Sequence, residues 1–280
     1  YGGLKVSIFT DNIQMIVIGA LILIFSFYIT SFIGSEFSFA FVREKNPQLL
    51  SASYIPSYTA GLTFFIAVAA TNLFHQGNWQ RVYAAKDYQT LKKSLIISFF
   101  IIVPIVFFMG FVGMVSFSID PGNRPDLGFF TLLLKEQTEM LSLLIITLGL
   151  ALTISTVDTL VNAISSLFVV DGKATFNLDK NKDYLRLSKY FIIFLSLIAF
   201  IIASRGFDIL YLFLLADLFC CAFVLTVFYS FYNKSINEKT AYISIVIGLI
   251  GGILMFPFPD FSKSLLIGIL VPKEMFAPFI

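Results

Sequence analysis

Long apolar runs separated by short polar segments dominate this chain. Uncharged windows long enough to cross ~30 Å of hydrocarbon as helix lie at 12–35, 46–80 and 94–119. Four more follow: 140–170, interrupted only by Asp158; 190–204, with polar flanks; 209–233, interrupted only by Asp217; and 240–259. Because backbone groups in lipid must be satisfied within the segment, these windows predict helices. The expected fold is an all-α polytopic membrane helix bundle in a single transmembrane domain over 1–280, with spans at about 12–33, 58–79, 94–118, 140–170, 188–204, 209–232 and 240–258. Residues 264–272 are apolar but short, and Pro272-Lys273-Glu274 breaks the run, so 263–280 is at most a partial span. Pro104 predicts a local kink in the third span, and Gly248 with Gly252 marks a face where another helix can approach.

The fourth span departs from the apolar pattern. It carries Ser155, Thr156, Asp158, Thr159, Asn162, Ser165 and Ser166. In hydrocarbon each of these groups is costly unless it has a partner or faces a wet cavity. At helical spacing Ser155, Thr159, Asn162 and Ser166 share one face, which predicts a polar stripe turned away from lipid. Hard oxygens at mid-membrane suit a small cation or a polar solute.

Composition strengthens the membrane reading: 58% of the 280 residues are hydrophobic, 13% are charged and mean hydropathy is +0.89. A soluble core of this size could not hide so much apolar surface. The net charge of +2 says little, but the placement of Lys and Arg says more. With the first residue inside, Lys5, Arg81, Lys86, Lys92, Lys93, Lys173, Lys180, Lys182, Arg186, Lys189, Lys234 and Lys239 are cytoplasmic, twelve of nineteen basic residues. This orientation in a cell membrane is the expected one. Cys220 and Cys221 are adjacent in an apolar span, offer neither a disulfide framework nor metal-ligand spacing, and are expected to pack. The opening Tyr1-Gly2-Gly3-Leu4-Lys5 has no Met and no signal peptide, and reads as the interior of a longer protein.

The inter-span loops are short, so no soluble catalytic domain is expected and function must reside in the spans. Near the end of the second span, His75, Gln76, Gly77 and Asn78 precede Trp79-Gln80-Arg81. His75, the single histidine, reads either as a core imidazole or as part of a solvent-accessible vestibule with its polar neighbours. Asp217 is an ionisable group at membrane depth and so a functional candidate.

Three separated motifs resemble the sodium:solute symporter family, which includes the proline/sodium and galactose/sodium transporters. The segment from Gly2-Gly3 through Thr10-Asp11-Asn12-Ile13-Gln14 is similar to the family's GG-x-x-A…TD-x-x-Q helix. Gln80-Arg81 with Ala84-Ala85-Lys86 resembles its QR-x-x-A-A-K element. Ser155-Thr156-Val157-Asp158 through Ser165-Ser166 to Asp171 resembles its ST-x-D…SS…D helix. The order and spacing agree.

The resemblance implies a partial five-plus-five inverted-repeat transporter fold, beginning at the last helix of the first repeat and lacking the first four core helices. It implies a Na⁺ site from the Leu152 carbonyl and the hydroxyls of Ser155 and Thr156, shared with a helix outside this chain. Hard neutral acceptors of this kind replace hydration water without trapping the ion. Back-bonding of the hydroxyls to the preceding turn is the structural alternative. A second cation site would use Asp11, Ser155, Asp158 and Thr159, although Asp158 stands where some members have Ser. His75 and Gly77 match slots that carry a polar contact and an aromatic gate in sugar transporters, and Gly77 cannot gate as a ring does. Asp217 would meet a cationic group of a substrate, or a Lys or Arg from a missing helix.

The expected function is sodium-coupled symport of a small polar organic solute by alternating access, with the lipid bilayer and the missing N-terminal helices as partners, no nucleic acid and no enzymatic activity. The alternatives are a solute-sensing membrane domain of a signalling protein, a polytopic membrane enzyme using His75 or Asp217 as base, and a passive channel.

Overall fold

The structure, a computed structural model, describes residues 3–122, 127–135, 138–172, 184–233, 236–259, 261 and 263–266. Among these the regular structure is helical: α1 (Gly3–Ile33), α2 (Phe39–Lys45), α3 (Ile55–Phe74), α4 (Gln76–Ala84), α5 (Tyr88–Ile119), α6 (Gly128–Leu133), α7 (Glu139–Ser166), α8 (Tyr184–Ala203), α9 (Ile209–Tyr232) and α10 (Glu238–Met255). A single π turn, Leu167–Asp171, follows α7, and an isolated bridge joins Pro257 to Ser264. Among the described residues seven helices, α1, α3, α5, α7, α8, α9 and α10, are long and apolar enough to cross a membrane. The chain is thus an all-α polytopic bundle. Of the 263–280 segment, residues 267–280 lie outside the described residues.

Side chains of several helix starts satisfy the orphan N–H groups there. Ser38, Asp87, Thr138, Asp208 and Asn237 accept from the backbone N–H of Phe41, Thr90, Leu141, Leu210 and Thr240. The bond from Thr90 holds the Asp87 carboxyl below its usual range.

Helix limits differ from the hydropathy windows in two places. Helix α1 begins at Gly3, well before residue 12, because Ser7, Asp11 and Gln14 recur at helical spacing and continue one face. The second window is not one helix to residue 79. It ends at Phe74, His75 takes an extended backbone (φ −75°, ψ 102°), and α4 starts afresh at Gln76. Residues 76–84 carry Gln76, Asn78, Gln80 and Arg81, too polar to prolong a lipid-facing helix. Helix α5 runs on past Pro104 to Ile119.

The described chain divides into two compact units, Tyr1–Ser51 with Gln76–Leu195, and Ala52–His75 with Ser196–Ile280. In the first unit α1 packs along α7, and α5 carries α2 and α6. Leu21, Phe25, Ile29 and Ile33 follow the i, i+4 rhythm down α1 and are buried with Val42, Phe111, Val112, Val115, Leu132, Leu133, Leu141 and Leu148. Phe25 meets Phe129 edge to face, with centroids 6.2 Å apart. Gly128 lets α6 lie on α5: a Cβ there would come within 3.0 Å of Ser116 Cβ and 3.3 Å of Gly113 Cα.

In the second unit α9 packs between α3 and α10. Helix α3 presents the small buried residues Ala67 and Ala70. Helix α10 meets α9 through the predicted glycine pair: a Cβ on Gly248 would rest 3.7 Å from Ala222 Cβ, and one on Gly252 would come within 2.6 Å of Leu218 Cδ1.

Outward faces are apolar. Phe27, Phe100 and Leu225 are 75%, 70% and 79% exposed, which is tolerable only where lipid covers them.

Candidate functional site

The polar stripe of α7 faces inward, as its spacing predicts: Ser155, Asp158, Thr159, Asn162, Ser165 and Ser166 are all partly buried. Ser165 Oγ lies 3.4 Å from the hydroxyl of buried Ser188 on α8. One helical turn separates Ser155 from Thr159, and both meet groups from other helices.

Ser155 Oγ donates to Asp11 Oδ1 on α1 at 3.1 Å. The other carboxylate oxygen, Oδ2, accepts from Arg81 Nη2 on α4. The same Nη2 donates to Thr159 Oγ1 at 2.9 Å, while Nη1 donates to the Gly77 carbonyl at 3.2 Å. Three helices therefore converge on one guanidinium, with the Asp11 side chain 18% and the Arg81 side chain 39% exposed. Of the residues marked for a second cation, Asp11, Ser155 and Thr159 come together. Asp158 makes no side-chain hydrogen bond or ion pair among the described residues. The group in their midst is Arg81, which the sequence shows as part of a motif but not as a partner of Asp11. Gln14, one turn beyond Asp11, has a buried Oε1 without a hydrogen bond among the described residues.

Leu152 and Thr156 lie on another face of α7. Thr156 Oγ1 donates to the Leu152 carbonyl at 3.0 Å, so these two candidate ligands are bonded to each other one turn apart. Both are exposed, Leu152 by 40%. With the proton of Ser155 directed to Asp11 and that of Thr156 to Leu152, both hydroxyl oxygens keep lone pairs free to accept. Neutral oxygens at this spacing fit a hard monovalent cation in chemistry.

The remaining candidates fall in different units. Gln76, Gly77 and Asn78 belong with the first, Gly77 being buried. His75 belongs with the second, and its Nδ1 is buried without a hydrogen bond among the described residues. Asp217 on α9 is also in the second and is 1% exposed. Its Oδ1 accepts from Thr71 Oγ1 of α3, a hydroxyl also within reach of the Ala67 carbonyl at 3.0 Å. Asp217 Oδ2 is buried with no hydrogen bond among the described residues. Neither α3 nor α9 contains Lys or Arg. A cavity of about 550 Å³ near the end of α9 is lined by Thr226, Tyr229, Asn233, Thr240 and Ser244 and includes none of these candidates.

An inward polar stripe meeting a carboxylate and a guanidinium within the first unit accords with a comparison of the sequence against known families. The sodium:solute symporter family matches residues 1–248. The chain belongs to the sodium:solute symporter family. Membership of that family agrees with the seven helices able to cross a membrane among the described residues. A curated relative, the spermidine transporter DUR31 of Candida albicans (strain SC5314 / ATCC MYA-2876), is 25% identical over 232 residues, covering 81% of this chain and 42% of the relative. The chain thus spans less than half the length of that curated relative. No solved structure matches.

Proposed function

We propose that this chain is part of a sodium-coupled symporter that carries a small polar organic solute across the cell membrane by alternating access. The observation that carries the reading is the Leu152–Ser155–Thr156 turn of α7, where two hydroxyls and a carbonyl stand in an otherwise apolar span. Leu152 and Thr156 are uncovered, which supports a site completed by a helix from the first half of an inverted repeat. Its cytoplasmic face is the one that gathers twelve of the nineteen basic residues. A membrane potential supplies about 2.3 kcal/mol per charge per 100 mV, so each coupling ion that enters adds that driving force to the uptake of the solute.

Asp217 adds a solute preference. Its Oδ2, without a hydrogen bond among the described residues, and the lack of basic residues on α3 and α9 support a solute with a cationic amine, which brings polyamines beside amino acids, sugars, carboxylates and urea as test solutes. The name of the Candida albicans relative points the same way.

The test is uptake by full-length protein in proteoliposomes, with and without an inward sodium gradient. Uphill accumulation of one solute only with sodium is expected. Replacing Ser155 and Thr156 by Ala is expected to raise the sodium concentration for half-maximal uptake about tenfold, the loss of about 1.4 kcal/mol of ion binding. Unchanged sodium dependence in that variant removes the site assignment, and equilibration without accumulation indicates a channel.

A further inference from the structure

We propose that His75 is the partner of Asp217 when the site holds no solute: its Nδ1–H turns to Asp217 Oδ2, and an arriving cationic amine displaces it. The inference rests on the reading of Asp217 as the receptor for a cationic solute and adds how the carrier returns empty.

Two buried polar atoms of the second unit, His75 Nδ1 and Asp217 Oδ2, lack a hydrogen bond among the described residues. The two are complementary. The acid's oxygen accepts, and an imidazole carries its proton on whichever nitrogen finds an acceptor. Thr71 of α3 already donates to Asp217 Oδ1, which joins the two helices at that level. His75 follows Thr71 by four residues, so it stands one turn further along the same face, about 6 Å by helical rise. Phe74 and Phe223, with ring centroids 6.2 Å apart, place α3 and α9 in the same direction there, since Phe223 follows Asp217 as Phe74 follows Thr71. Helical side chains lean back toward the N-terminus, which for His75 is toward Thr71 and the acid. His75 ends α3 on an extended backbone (φ −75°, ψ 102°), its N–H donating to the Asn72 carbonyl at 3.4 Å. A helix end of this kind yields more readily than a helix interior. Rotation of one side chain, with neither helix displaced, then brings Nδ1 to the acid.

The neighbouring groups are poorer substitutes. Neither α3 nor α9 carries Lys or Arg. Cys221, one turn beyond Asp217 on the same face, offers a weak S–H donor. Asn72 is exposed, and its Nδ2 donates to the Val68 carbonyl at 2.8 Å. A carrier that has released its solute must return with this acid unsatisfied unless the protein supplies a donor, and an unmade hydrogen bond in low dielectric is costly. His75 supplies it. The same contact sets affinity, because the solute competes with the imidazole for one oxygen.

Two measurements on the full-length protein test this. The first needs no solute. His75→Phe is expected to lower the unfolding temperature of the empty protein in detergent, but not in the Asp217→Leu background. His75→Asn, whose Nδ2 replaces Nδ1 as donor, is expected to behave as wild type. Equal losses in both backgrounds, or none in either, overturn the inference; where Asp217→Leu does not fold, a loss shared by His75→Asn and His75→Phe does so. The second uses whichever of radiolabelled putrescine, spermidine and lysine wild type carries best, and compares net uptake into empty proteoliposomes with exchange against the same solute inside. Net uptake requires the empty return and is expected to fall about tenfold in His75→Phe, the scale of one buried hydrogen bond, while the exchange rate at saturation is retained. The half-saturating concentration for exchange is expected to fall about tenfold, since the competing imidazole is gone. Equal loss of net uptake and exchange overturns the inference. Wild type that carries none of the three amines, with the unfolding results as expected, overturns the cationic-solute reading and keeps His75 as the partner of Asp217.

Discussion

Asp11 and Asp217 are both acids on membrane-spanning helices, and the chain treats them in opposite ways. Asp11 in the first unit has both oxygens bonded, one by a hydroxyl and one by a guanidinium. Asp217 in the second is more deeply buried, yet among the described residues has a threonine hydroxyl on one oxygen and no hydrogen bond on the other. A charge that is already compensated has little to gain from an arriving cation. A buried acid with an unused oxygen has much to gain, because an unmade hydrogen bond in low dielectric is costly. The family motif directs attention to Asp11, whereas the proposal of a cationic solute rests on Asp217.

The sharpest way to break the contrast is to neutralise each acid in turn. Asp11→Asn leaves Arg81 among three helices without its carboxylate, and is expected to destabilise the full-length protein by about 2–3 kcal/mol. That is less than the roughly 3–5 kcal/mol of a fully buried pair, since Arg81 is partly exposed and solvent screens it. Thermal unfolding in detergent measures it. Adding Arg81→Gln is expected to restore most of the loss, since no unpaired charge then remains, and purely additive losses would show that the two residues do not act as a pair.

Asp217→Asn is expected to do the reverse. Its amide retains a hydrogen-bonding group toward Thr71 and replaces a buried acid, so stability is expected to hold or rise by about 1 kcal/mol. Uptake of a cationic solute is expected to fall at least about tenfold, the scale of one charge-assisted hydrogen bond, while neutral solutes are unaffected. A stability loss as large as that of Asp11→Asn, with uptake unchanged, would make Asp217 a structural residue.

These differences set the limits of what the sequence displays. The seven apolar stretches, the inward stripe from Ser155 to Ser166 and the Gly248–Gly252 approach face are all local periodicities, and hydrocarbon imposes them on the order of residues directly. The break at His75 was concealed because residues 46–80 contain no charge, and a run of neutral polar residues does not announce where a helix stops. The partners of the two acids were concealed for another reason. Arg81 is seventy positions from Asp11, and Thr71 is 146 from Asp217, so each pairing depends on helix packing that no spacing rule encodes. Thr71 in particular stands in a run of Ala, Thr and Asn, and nothing in its neighbours marks it. Arg81 was visible as a motif member near a span's end, where an interfacial position explains a cation equally well.

The smallest effect separates the two sites by their hydroxyls. Thr71 and Thr159 each contribute one hydroxyl near an acid, and Val replaces Thr with almost the same shape. Thr159 accepts from Arg81, whose guanidinium retains Asp11 and the Gly77 carbonyl, so Thr159→Val is expected to cost about 0.5–1 kcal/mol. Thr71 supplies the hydrogen bond to Asp217 found among the described residues, so Thr71→Val is expected to cost more, about 1.5–2 kcal/mol, because it strips a buried acid of that bond. The gap should close when Asp217 is Asn, since the stranded group is then neutral. Equal costs for Thr71→Val in both backgrounds would mean that the threonine serves the Ala67 carbonyl, its other neighbour at 3.0 Å, rather than the acid.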